Sequence, residues 1–166
     1  MNDIPYTKKI DPKTKAIVTI FGLIFIGIIL GYIISIFSLQ IILEEIKNLP
    51  VQIDPLRINR SINYYTGALV LIAIEITLLV GLLYGYYDSF RKTKSRFLIG
   101  LNLFIIALLI RSVLSVISLY TIATDYIQVI PYVSRTFLTP GFGVLNFILS
   151  IFEIIALSIL LYLSME

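Results

Sequence analysis

The stretch "IIALLIRSVLSVIS" (residues 105–118) sets an arginine, Arg111, in the middle of a run otherwise apolar enough to cross a bilayer. About 20 such residues span the roughly 30 Å of hydrocarbon at 1.5 Å per helical residue. Outward from Arg111 the next charges are Arg96 and Asp125, so the run covers about 97–122. Three more windows read alike, at about 16–40, 63–87 and 140–164, the last two carrying Glu75 and Glu153. The expected fold is an all-α integral membrane protein, a four-transmembrane-helix antiparallel bundle with short extracytoplasmic loops. It forms a single membrane domain over 1–166, with helices at about 12–48, 63–88, 96–122 and 140–164 and external loops at about 49–62 and 123–139.

Composition agrees. Of 166 residues 58% are hydrophobic and 14% charged, with a mean hydropathy of +0.98, outside the range of soluble domains. The chain has no cysteine and no histidine. That removes disulfides, thiolate chemistry, Cys/His zinc sites and histidine-based catalysis. No metal site and no cofactor is expected. Walker, Rossmann and zincin patterns are absent, and "TPGFG" (139–143) reads as the entry to a helix. The expectation is therefore a protein that is not an enzyme. Isoleucine supplies about a fifth of the chain, a bias common to AT-rich genomes and thermophilic archaea.

The net charge of +3 comes from basic residues beside the apolar runs, so it bears on topology and not on nucleic acid. Four lysines (Lys8, Lys9, Lys13, Lys15) precede the first run, and "FRKTKSR" (90–96) holds Arg91, Lys92, Lys94 and Arg96. The opposite side has Lys47, Arg57, Arg60 and Arg135. Eight against four predicts a multi-pass protein of the cell membrane with both termini in the cytoplasm. The first run reads as an uncleaved signal anchor. Tyrosines such as Tyr64, Tyr84, Tyr87, Tyr120 and Tyr162 fall near the predicted helix ends, where the ring suits the headgroup layer.

Asp11-Pro12 and Thr139-Pro140 have the grammar of helix starts, a capping side chain before a first-turn proline. The first connection is expected to prolong helix one to about Asn48 and to break at Pro50 and Pro55. Asn59-Arg60-Ser61 is a glycosylation sequon on the side assigned as external.

The charges inside the runs stand at one level. The midpoint between flanking charges is residue 74 for the second run, about 110 for the third and about 150 for the fourth. Glu75, Arg111 and Glu153 thus lie within about 4 Å of one plane at 1.5 Å per residue. One unpaired charge there costs about 2.5–3.5 kcal/mol, so a Glu75-Arg111-Glu153 cluster joining helices two, three and four is expected, the guanidinium serving both carboxylates. Asn146 and Ser150 share a face with Glu153, and Ser115 and Ser118 share one with Arg111. Tyr32 of helix one is a further candidate donor. Small residues recur at steps of four on helix one (Gly27, Gly31, Ser35) and helix two (Ala73, Thr77, Gly81, Gly85). These stripes predict close packing of helices one and two.

With little mass outside the membrane and the polar residues inside the bundle, the functional expectation is a non-catalytic accessory or scaffolding subunit of a larger membrane complex, energy-transducing or secretory. Its partners are the lipid bilayer and other membrane protein subunits, with a homo-oligomer as the alternative and no nucleic acid. The rival expectation is a small oligomeric transporter or proton carrier using an intramembrane carboxylate, and a third is a membrane sensor.

Overall fold

The computed structural model of the chain describes residues 12–47, 55–129 and 140–165, of which 12, 45–47, 55–61, 122–129, 140–146 and 165 are described by backbone alone. The described residues form four α-helices: α1 (Pro12–Lys47), α2 (Pro55–Thr93), α3 (Arg96–Val129) and α4 (Pro140–Met165). All four are long and apolar enough to cross a membrane.

Three of the helices open on proline, whose fixed φ and missing N–H suit a first helical position. This was expected at Pro12 and Pro140. At Pro55 a break is expected from the sequence, and the structure instead starts α2 there, where the sequence Asp54-Pro55 has the same grammar as Asp11-Pro12. The segment read as an external loop over 49–62 is therefore helical from Pro55, and the one read over 123–139 is helical through Val129. Pro50 lies outside the described residues. Asn59 is in the helical part of α2, and its side chain is outside the described residues.

Between α2 and α3 stand only Lys94 and Ser95, so most of "FRKTKSR" is helix. Lys94 has φ 49°, and its N–H donates to the Phe90 carbonyl at 2.8 Å. This is the left-handed C-terminal motif that satisfies one orphan carbonyl at the end of a helix.

Helix α2 is the centre of the bundle and the most buried of the four. On one side it meets α1 through small residues. A Cβ placed on Gly27 would lie 2.6 Å from the Ile74 Cα, and one on Gly31 would lie 2.6 Å from the Val70 Cα. Ser35, buried, donates to Thr66 Oγ1 at 2.8 Å, and the one proton of Thr77 Oγ1 has two acceptors, the Ile74 carbonyl of its own helix at 2.8 Å and the Leu23 carbonyl of α1 at 3.1 Å. As numbers rise along α1 they fall along α2, so the two are antiparallel. Close backbone approach with interhelical hydrogen bonds is the packing mode of helices apolar enough to cross a membrane, where lipid supplies no hydrophobic drive between them.

On its other side α2 carries Leu78, Leu79 and Leu82, fully buried against Ile105 of α3 and Leu157 and Leu161 of α4. Gly85 of α2 faces Ser164 of α4, whose Oγ would lie 3.8 Å from a Cβ on the glycine. Gly85 thus belongs to the α4 contact and not to the stripe toward α1. Steps of four residues drift about 40° each on a helix of 3.6 residues per turn, so by Gly85 the stripe has turned about a third of the way round from Ala73. Although α3 and α4 both pack on α2, no Cα of one comes within 8 Å of a Cα of the other among the described residues. This gap of more than 8 Å between their Cα atoms is the α3–α4 groove.

Candidate functional site

Glu75, Arg111 and Glu153 each stand within three residues of the middle of their candidate spans, Ile62–Thr93, Arg96–Thr121 and Phe147–Ser164. Because α3 runs opposite to α2 and α4, all three are displaced toward the same end of the bundle. The structure divides them into two units.

The first unit bridges the groove. Arg111 Nη1 donates to Glu153 Oε1 in an ion pair between α3 and α4. The two partners are unequally covered: the Arg111 side chain is 58% exposed and that of Glu153 17%. The guanidinium lies on the outer surface of the bundle with the carboxylate set deeper. Ser115 does not join them. Its hydroxyl donates to the Arg111 carbonyl of its own helix at 3.0 Å. Ser118 is exposed, Ser150 is half-buried, and the Asn146 side chain is outside the described residues.

The second unit is inside. Glu75 is 4% exposed, and Ser112, 1% exposed, donates to its Oε1 at 2.5 Å. The same hydroxyl lies 3.0 Å from the Leu108 carbonyl, so its single proton has two acceptors to choose between. The guanidinium expected to serve both carboxylates pairs with Glu153, and the inner carboxylate takes a serine hydroxyl. The cause is rotation: one residue on an α-helix is about 100°, so Arg111 faces the groove and Ser112 faces α2.

Ser112 is the site residue that the sequence reading missed. Ser112 stands seven residues from the buried Ile105 on one face of α3, a relation visible only once the burial of Ile105 is known. Farther along the same helix the buried Asn102 Oδ1 has no hydrogen-bond partner among the described residues. Tyr32, a candidate donor to a carboxylate by its depth in the sequence, is 57% exposed. Its neighbour Gly31 is the residue that faces α2, which turns Tyr32 to the outside. Of the small residues, Gly27, Gly31, Ser35, Ala73 and Thr77 lie in the α1–α2 contact, and Gly81 meets it through the Leu23 side chain. Among the described residues no group of three or more acidic side chains could hold a metal ion.

In comparison with known proteins, residues 64–165 match the model of a family of unknown function (DUF8036). The match takes in well over half of the chain, with Glu75, Arg111, Ser112 and Glu153 all inside it. No curated protein and no solved structure matches the chain.

Proposed function

The chain belongs to that family, and we propose that it is a non-catalytic subunit of a larger assembly in the cell membrane, held to its partners by contacts within the bilayer. One observation carries this reading: Arg111 is 58% exposed at the middle of a candidate span. On a lone bundle that guanidinium would face hydrocarbon at a cost of about 2.5–3.5 kcal/mol. Another protein seated over α3 and α4 removes the cost. The apolar exterior is consistent with lipid elsewhere, with Phe21, Phe25, Phe37, Tyr84 and Phe97 each more than 60% exposed. The positive-inside bias of the flanking segments puts both termini in the cytoplasm and the two longer connections outside.

A native pull-down from gently solubilised membranes tests this, comparing wild type with Arg111→Ala by mass spectrometry. Stoichiometric recovery of other membrane proteins, reduced in the variant, is the expected result. Recovery of the chain alone, or with copies of itself only, overturns the reading.

A second reading is favoured by Glu75, a carboxylate buried at mid-span beside Ser112. A proton or ion carrier would use such a group, since intramembrane carboxylates mark ion pathways. Proton flux through reconstituted vesicles that Glu75→Gln abolishes would establish this alternative.

A further inference from the structure

We propose that the groove between α3 and α4 receives one transmembrane helix of a different protein, and that this helix carries an aspartate or glutamate level with Arg111. The proposal rests on the subunit reading above and names the chemistry of the partner.

Arg111 has five N–H donors, of which Glu153 takes one through Nη1. Among the described residues nothing else accepts from the guanidinium, and hydrocarbon supplies no water. Phe104, Ala107, Leu114 and Ser118, which share its face at helical spacing, are all exposed. The face is thus apolar but for Ser118, with unspent donors at its centre, and a carboxylate is the acceptor that fills a guanidinium fork best.

Two other occupants fit less well. A lipid phosphate lies at the bilayer surface, and Arg111 is ten residues, about 15 Å, from the nearer end of its candidate span. That is farther than an arginine side chain extends. A second copy related by a twofold axis along the membrane normal would bring guanidinium to guanidinium at one depth. The acceptor that could relieve this, Glu153, is only 17% exposed.

The test uses the full-length wild-type chain, fluorescently labelled and reconstituted in phosphatidylcholine vesicles. It is titrated with acceptor-labelled Leu/Ala transmembrane peptides that differ only in a central Glu, Gln, Leu or Lys, with energy transfer as the readout. The Glu peptide is expected to associate at least about tenfold more tightly than the Leu peptide, with Gln between them and Lys no better than Leu. Arg111→Gln should erase the preference and Arg111→Glu should transfer it to the Lys peptide. Equal binding of the Glu and Leu peptides by the wild type overturns the proposal, as does saturable transfer between copies of the chain that excludes the peptide. The wild-type series needs no variant to fold. Partners recovered in the pull-down without a Glu preference here would overturn this inference and leave the subunit reading in place. A Glu preference in a chain that leaves its native membrane alone would do the reverse.

Discussion

Gly31 of α1 and Val70 of α2 meet backbone to backbone: a Cβ on the glycine would sit 2.6 Å from the valine Cα. Gly27 stands one turn away in the same relation to Ile74. Neither neighbour is the far end of a flexible chain, so an added methyl has to push two helices apart. Overpacking of this kind costs about 1–3 kcal/mol. Gly31→Ala and Gly27→Ala should therefore each destabilise the bundle by about that much, less the gain of up to about 1 kcal/mol in helix propensity. Gly22 has nothing within 4 Å of its would-be Cβ, and Gly81 meets only the Leu23 Cδ1 closely. Gly22→Ala should be neutral or stabilising, and Gly81→Ala should fall between. Unfolding in mixed detergent micelles, followed by circular dichroism, gives the order.

Ser112 and Glu75 predict an asymmetry. Removing the hydroxyl with Ser112→Ala leaves a carboxyl that is 4% exposed without its hydrogen-bond partner, at a cost of about 1–3 kcal/mol. Removing the carboxyl with Glu75→Leu leaves Ser112 its Leu108 carbonyl, so the loss should be smaller. The double variant should be close to Glu75→Leu alone. Equal losses for the two single variants in the same unfolding assay would show that the inner hydrogen bond does not matter to the fold.

How much of this was legible follows from what periodicity measures. Spacing alone gives the Gly27-Gly31-Ser35 stripe, because residues that allow backbones to touch differ in size from everything around them. The common level of Glu75, Arg111 and Glu153 is equally readable, because charge-free margins fix depth. Which way each polar residue faces is not. In a soluble helix the polar side marks the outside, whereas here core and exterior are both apolar, so Arg111 outward with Ser112 inward reads the same as the reverse. Tyr32 and Gly85 were misplaced by this rotational ambiguity. The start of α2 differs for another reason: a proline reads equally as the end of one element or the first turn of the next, and Asp54-Pro55 has the same grammar as Asp11-Pro12.

Between α3 and α4 the ion pair spans a gap that no backbone contact closes. Its coupling should exceed the about 0–1 kcal/mol of a pair exposed to water, since Arg111 is exposed at the middle of an apolar span, where hydrocarbon neither screens the pair nor replaces its hydrogen bond. A double-mutant cycle with Arg111→Leu and Glu153→Leu in detergent should return a coupling energy of more than about 1 kcal/mol, above the range of pairs exposed to water. On the proposed subunit role, the same Arg111→Leu substitution should lower the steady-state level of the chain in native membranes far more than this figure implies, because unassembled subunits are degraded. Immunoblotting of membranes against purified stability separates the two effects. A parallel fall in both would mean that the pair holds the bundle together and has no part in assembly.

Lys94 joins α2 to α3 in the left-handed region at φ 49°, where an L-residue with a Cβ carries about 1–2 kcal/mol of strain. Glycine takes that conformation without strain but gives back part of the gain through the greater freedom of its unfolded chain. Lys94→Gly should therefore stabilise the protein by about 0.5–1 kcal/mol, and Lys94→Ala should leave it near wild type, since alanine keeps the Cβ and the strain. The N–H bond to the Phe90 carbonyl is available to all three residues, so it does not enter the difference. Lys94→Val adds a β-branch at positive φ and should destabilise. The order glycine, then lysine and alanine, then valine in thermal unfolding would establish the left-handed turn in solution. Indifference to all three substitutions would mean that α2 and α3 are joined by some other geometry.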